Sequence, residues 1–127
     1  MSKGKILLID DEKIILKAYA RELESAGYEV FKAMRAQDAV EIVQKESPDI
    51  VYTDLVMPEI NGVEICRSIK EIAPDVEVVL ISGYPEEATK YQIEFITAGG
   101  REEWLRKPLE LDELVSTTDR ILGQKRI

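Results

Sequence analysis

At 127 residues with 45% of them hydrophobic, the chain suits one core and leaves no room for a second. Its 25 acidic against 17 basic residues give a formal net charge of -8, which would repel a phosphate backbone; only Lys125-Arg126 is locally basic, so nucleic acid is not an expected partner. One cysteine, Cys66, and no histidine exclude an internal disulfide and the usual zinc ligands, which leaves oxygen donors and a hard cation such as Mg²⁺, while the absence of a long apolar run argues against a membrane span or signal peptide.

These bounds predict a single cytoplasmic domain over residues 1–127, with its core from about 4 to 123. Lys5-Ile6-Leu7-Leu8-Ile9 is a continuous apolar run that reads as a strand buried on both faces and stops at Asp10-Asp11-Glu12. From Glu12 to Ala26 the period turns helical, with Leu16, Tyr19, Ala20 and Leu23 inward, Ile14 and Ala18 outward, Ile15 at the margin, and Gly27 as the stop. Tyr28 to Lys32 alternates as an edge strand would. A helix from about Gln37 to Lys45 buries Ala36, Ala39, Val40 and Val43 before Ser47-Pro48.

Ile50-Val51-Tyr52-Thr53-Asp54 is the third strand, and Met57-Pro58 cannot continue it. Asp54 is thereby delivered to the carboxyl edge of a sheet, where open α/β folds place their chemistry, although by itself it also reads as a plain turn residue. A third helix carries Gly62, Ile65, Cys66, Ile69 and Ile72 on one stripe until Pro74, and Cys66 reads as core. Val76 to Ile81 is a fourth strand ending in Ser82-Gly83. The helix from about Glu86 to Ala98 turns Ala88, Tyr91, Phe95 and Ala98 inward and Ile93 away, and ends at Gly99-Gly100. Glu103 to Arg106 is a short fifth strand reaching Lys107-Pro108. A last helix, from about Leu111 to Leu122, buries Leu111, Leu114, Val115, Thr118, Ile121 and Leu122 before Gly123.

Five strands alternating with five helices require right-handed parallel crossovers, hence an α/β, doubly wound (βα)5 sandwich with helices on both faces. The strand order 2-1-3-4-5 is adopted from other doubly wound folds, since these residues do not derive it. In that order the ends of strands 1 and 3 are neighbours, which gathers Asp10, Asp11 and Asp54, with Ser82 and Lys107 on the adjoining ends. Three close carboxylates repel unless protonated, paired or neutralised by a cation. Mg²⁺, with Mn²⁺ as a substitute, fits few protein oxygens plus water better than Ca²⁺ does. With the Lys107 ammonium on the far side and the Ser82 hydroxyl as a donor, the set suits a tetrahedral dianion on Asp54, and so phosphoryl transfer to a carboxylate.

Ile6 to Glu12, Asp54-Leu-Val-Met-Pro58 with Gly62 four residues on, Ile81-Ser82-Gly83 and Lys107-Pro108-Leu109 together resemble the receiver domain of two-component response regulators, across essentially the whole chain. The resemblance implies a flavodoxin-like fold with Asp54 as phosphoacceptor. It makes Asp11 the direct Mg²⁺ ligand, Asp10 an acid that binds the metal through water, and the Val56 main-chain carbonyl a further ligand. Ser82 is the expected switch hydroxyl and Lys107 its lysine partner, with a cis Lys107-Pro108 bond. It implies a protein that catalyses only its own Mg²⁺-dependent phosphorylation and slow dephosphorylation, with Val56 and Tyr84 flanking the path of the hydrolytic water.

The implied partners are a sensor histidine kinase or histidine phosphotransferase, docking on Ile14, Ile15 and Ala18, and a downstream protein on the surface of the fourth helix, fifth strand and fifth helix, where Ile93 is exposed. A monomer of the single-domain type is expected. Trp104 stands where the family usually has Tyr or Phe as the second switch residue, and an indole is large for inward rotation. Gly100 replaces a commoner alanine, which predicts a looser approach to the fifth strand. Three rivals are weaker. A flavodoxin-like small-molecule binder needs a phosphate-cradling loop where Asp10-Asp11-Glu12 would repel phosphate; an aspartyl phosphohydrolase needs an acid where Val56 stands; a docking module that is never phosphorylated would not need the full set of residues.

Overall fold

The computed structural model describes residues 2–125, so Arg126 of the basic tail lies outside the described residues. Five strands, β1 (Lys5–Ile9), β2 (Glu29–Ala33), β3 (Ile50–Asp54), β4 (Glu77–Ser82) and β5 (Trp104–Arg106), alternate with α1 (Lys13–Ser25), α2 (Ala36–Glu46), α3 (Gly62–Ile72), α4 (Pro85–Thr97) and α5 (Glu113–Lys125). All strand pairs are parallel, in the order β2-β1-β3-β4-β5. The central strands are apolar throughout because both their faces are covered: every residue of β3 is buried, and only the first residue of β1 and of β4 is not.

The two covered faces form two separate cores. Leu7, Ile9, Val51, Val78 and Leu80 pack with Val43, Ile65, Cys66, Ile69 and Phe95 on one side. Ile6, Leu8, Ile50, Tyr52, Val79 and Ile81 pack with Leu16, Leu23, Leu114 and Ile121 on the other. Alternation along each strand sends successive residues to opposite cores. Each buried isobutyl or sec-butyl side chain contributes about 1.5–3 kcal/mol relative to exposure. The second core holds one polar pair, Tyr52 and Thr118, whose hydroxyls lie 2.6 Å apart, while Thr118 also donates to the Leu114 carbonyl. Burial of Tyr52 pushes its phenol well above the usual range.

The helical periodicity places α1 correctly: Leu16, Ala20 and Leu23 are buried, Tyr19 is half-buried, and Ile14 is 84% exposed. Ala36, Val40, Tyr91, Ala98 and Val115, expected inward, are likewise half-buried at the margins of their helices. Three expectations fail at helix ends. Ile72, the last residue of α3, is exposed because the stripe runs on after the sheet beneath it has stopped. Leu111 is 90% exposed and precedes α5, which starts two residues later because Glu113 accepts the Glu110 N–H at 2.9 Å and returns its own N–H to the Glu110 carbonyl. Gly123 does not stop α5, which continues to Lys125 after burying Ile121 and Leu122.

Candidate functional site

Four strands bring one polar group each to the carboxyl edge of the sheet: Asp10 just after β1, Asp54 ending β3, Ser82 ending β4 and Lys107 just after β5. Asp10, Asp54 and Ser82 are buried and Lys107 is half-buried. The chain is held there from several directions. Asp10 N–H donates to the Ala33 carbonyl at 3.1 Å, and Lys107 N–H donates to the Ser82 carbonyl at 2.9 Å, extending the β4–β5 register by one residue. The Lys107-Pro108 bond is cis.

Beyond Asp54 the chain passes under the start of α3. Gly62 N–H donates to the Leu55 carbonyl at 2.8 Å, and a Cβ on Gly62 would stand 2.7 Å from the Asp54 carbonyl oxygen and 3.1 Å from Leu55 Cα. Only glycine permits that approach. Asn61 then opens α3, its Oδ1 accepting from the N–H groups of Val63 and Glu64.

The expected acids do converge, but with a different grouping. One carboxylate oxygen each of Asp10, Asp11 and Glu12 lies within 4.8 Å of the others. Glu12 went unassigned in the sequence although it adjoins the pair, and its own N–H donates to Asp10 Oδ1 at 2.9 Å. Asp54 is tied to this group through Lys107, whose Nζ donates to Asp10 Oδ2 at 2.6 Å and to Asp54 Oδ2 at 3.2 Å. The lysine therefore bridges the two buried carboxylates and does not stand on the far side of the site, because its ammonium is the nearest counter-charge available to both.

Among the described residues Asp54 Oδ1 is buried with no hydrogen-bond partner, although the Val56 main-chain N–H lies close enough to favour the charged carboxylate. Burial pushes the Asp54 carboxyl above the usual carboxylate range; the Lys107 charge opposes this and the Asp10 charge adds to it. Burial alone would lower the Lys107 ammonium, but its hydrogen bond to Asp10 and the charges of Asp54 and Asp10 outweigh that and hold it above its ordinary value.

The Ser82 hydroxyl, fully buried, accepts the Tyr84 N–H at 3.0 Å and sits at the entrance to α4. Val56 and Tyr84 are both exposed beside the site. Trp104 is half-buried, opposite Leu80 in the β4–β5 register, and packs against the core that contains Phe95. Gly100 does not loosen this region. The Phe95 ring fills the space, with ring atoms 2.2–2.7 Å from where a Cβ at position 100 would stand. A phenyl group thus occupies the volume that an alanine methyl would take. Ile14 and Ala18 project from α1, with Ile15 half-buried, and Ile93 on α4 is 78% exposed. Cys66 is buried, and burial raises its thiol to about 11.

The family model for the response regulator receiver domain matches residues 6–119. The chain belongs to the receiver domain family. This receiver is 33% identical over 122 residues to the sensor kinase CckA of Brucella abortus, covering 94% of this chain and 13% of that one. It is 34% identical over 128 residues to the transcriptional regulatory protein YesN of Bacillus subtilis, covering 94% and 33%. The chain thus spans about half or less of the length of the curated relatives it matches. Among solved structures, a response regulator receiver domain protein from Clostridium thermocellum superposes with a TM-score of 0.86 at 33% identity, over 97% of each chain. Receiver domains are phosphorylated signalling modules of two-component systems, working with sensor kinases and downstream effectors. Among the described residues, no helix of this receiver is long and apolar enough to cross a membrane.

Proposed function

We propose that this receiver accepts a phosphoryl group on Asp54 from a phosphohistidine of a sensor kinase or histidine phosphotransferase, and that the modified form binds a downstream protein. The observation that carries the reading is Asp54 itself. One carboxylate oxygen is held by Lys107 while Oδ1 is buried with no hydrogen-bond partner among the described residues, only the Val56 main-chain N–H standing near the carboxylate, so an oxygen is left available as the nucleophile. In the transfer an Asp54 oxygen bonds to phosphorus as the nitrogen–phosphorus bond breaks, and the bond's electron pair leaves with the imidazole nitrogen, which is then protonated. Lys107 is within reach to neutralise the incoming charge, and the Ser82 hydroxyl, one strand away, is the donor expected to turn toward it.

A hard divalent cation fits this donor set: the close oxygens of Asp10, Asp11 and Glu12 and the orphaned Asp54 Oδ1 are all oxygen ligands, and the one ammonium of Lys107 balances only part of their charge. Asp10, Asp11, Asp54 and the Val56 main-chain carbonyl would hold Mg²⁺, or Mn²⁺ in its place. The ion would supply charge neutralisation for a dianionic phosphoryl group. Ile14, Ile15 and Ala18 offer an apolar patch beside the acids for a kinase helix, and the α4, β5 and α5 surface with Ile93 and Trp104 offers one for an output partner. Neither Val56 nor Tyr84 is an acid or amide that would orient a hydrolytic water, so the phosphoryl group should last minutes to hours, and Val56→Asn should shorten its life. A monomer acting in the cytoplasm completes the proposal.

The deciding experiment is incubation with acetyl phosphate and Mg²⁺ followed by intact mass. One added phosphoryl group is expected, absent in Asp54→Asn and absent when EDTA replaces the metal. Full labelling of Asp54→Asn, or none of the unmodified protein, would refute the assignment.

A further inference from the structure

A second charged feature begins one residue after the acids of the site, at the start of α1. Lys13 and Lys17 of α1 and Lys32 of β2 line a groove of about 400 Å³ whose other lining residues are Leu16 and Met34. No acidic side chain lines it, although the chain as a whole carries a net charge of -8. Among the described residues these three lysines make no side-chain ion pair or hydrogen bond, as is also true of Arg21, Arg35, Lys45, Arg67 and Arg106, so what sets them apart is that they converge on one groove.

The local sequence works against this arrangement. Of the five helices, α1 is the one without an acid in its first turn, and it places Lys13 there, where the helix dipole disfavours a cation. Lys17 follows at i+4, so like charges stack one turn apart, and Lys32 faces the same groove from the edge strand. Lys32 alone is what an edge strand uses to resist unwanted pairing. Three cations converging over an apolar floor, one of them in a helix first turn that disfavours it, are a local conflict of the kind that marks a binding surface.

We propose that this groove binds an acidic segment of a partner protein, with carboxylates on Lys13, Lys17 and Lys32 and one apolar side chain on the floor of Leu16 and Met34. A small anion is the poorer occupant, because all three lysines are exposed and no buried polar group would orient it. An extended chain suits the spacing. One helical turn separates Lys13 from Lys17 by roughly 6 Å, close to the ~6.6 Å two-residue repeat of a strand, so alternate carboxylates meet successive lysines. Acids outside the groove, Asp10, Asp11 and Glu12 directly before Lys13 among them, repel such a segment and confine it to the three lysines. The inference goes beyond the phosphoacceptor reading and holds whether or not Asp54 takes a phosphoryl group.

The test is a titration of isotope-labelled protein with a short synthetic peptide bearing alternating glutamates and one leucine, followed by amide NMR at low and high salt. The controls are the same peptide with glutamine for glutamate, and inorganic phosphate. The expected result is a set of shifts clustered at Lys13, Leu16, Lys17, Lys32 and Met34, weakened by salt. Binding should fall about tenfold or more in Lys13→Glu/Lys17→Glu/Lys32→Glu, whose melting curve should stay as it is because all three side chains are exposed. Equal shifts with the glutamine peptide, the same shifts with phosphate at equal concentration, or peptide affinity unchanged in the triple variant would each overturn the proposal.

Discussion

β3 follows one aspartate and ends on another, and the two are used in opposite ways. Just before the strand, Asp49 is tied to its neighbours through both side chain and backbone. Its Oδ2 accepts the Lys5 N–H at 2.8 Å, its N–H donates to the Lys5 carbonyl at 2.8 Å, and its carbonyl accepts the Glu77 N–H at 3.1 Å and Lys125 Nζ at 3.4 Å. One residue thereby fastens β1, β3, β4 and α5 together. At the strand's end Asp54 is buried, with Lys107 on one oxygen and, among the described residues, no hydrogen-bond partner on the other. The same side chain is structural before the strand, where it joins a web of backbone bonds, and reactive at the strand's end, where a buried oxygen is left without one.

The comparison can be broken most sharply at Gly62. Gly62→Ala would drive a methyl into the Asp54 carbonyl and the Leu55 backbone, neither of which can yield as a side chain could, so a loss of about 2–4 kcal/mol is expected in urea unfolding, together with impaired acetyl phosphate labelling. A wild-type midpoint would show that the reactive end is not tightly seated. Mg²⁺ should act at the Asp54 end with opposite sign. At a hundredfold excess over its dissociation constant it should add about 2.7 kcal/mol, read as a raised melting temperature that Asp11→Ala removes. Asp49→Ala should cost about 1–2 kcal/mol by stripping the acceptor from the Lys5 N–H, yet leave labelling intact.

The smallest effect is the most telling in sign. In EDTA, Asp54→Asn should raise the melting temperature by roughly 2–5 °C, because it removes a buried charge while Lys107 keeps its 2.6 Å bond to Asp10. The pH dependence follows from linkage. Burial raises the folded-state Asp54 carboxyl above its unfolded value, so its favourable contribution is fully present below the unfolded pKa and is lost as pH rises through the folded one. The advantage of Asp54→Asn should therefore be full at neutral pH and shrink on acidification into the carboxylate range. An advantage that grows on acidification would place Asp54 among the stabilising acids.

Much of this was legible in residue order. Each central strand is a run of apolar residues ended by a polar one, and burial on both faces demands such a run, so β1, β3 and β4 and the residues at their ends could be located without coordinates. Helix faces were legible in mid-helix, as Leu16, Ala20 and Leu23 show, because a 3.6-residue period identifies a side. It does not identify where the surface beneath comes to an end, and so Ile72, Leu111 and Gly123 were misjudged.

What the sequence determined by itself is the list of participants: two acids after the first strand, one ending the third, a serine, a lysine, and a period that puts helices between them. Tertiary structure alone decided how they are paired. That Lys107 bridges Asp10 and Asp54, and that Asp54 Oδ1 has no hydrogen-bond partner among the described residues, depend on distances between strands far apart in the chain, whereas Glu12 beside Asp10 and Asp11, and Phe95 against Gly100, are close in sequence and owe their contact to the local turn of the backbone. Local propensity acts over a few residues, whereas a buried charge takes whichever counter-charge the packed sheet brings nearest, and no pattern along the chain encodes that choice.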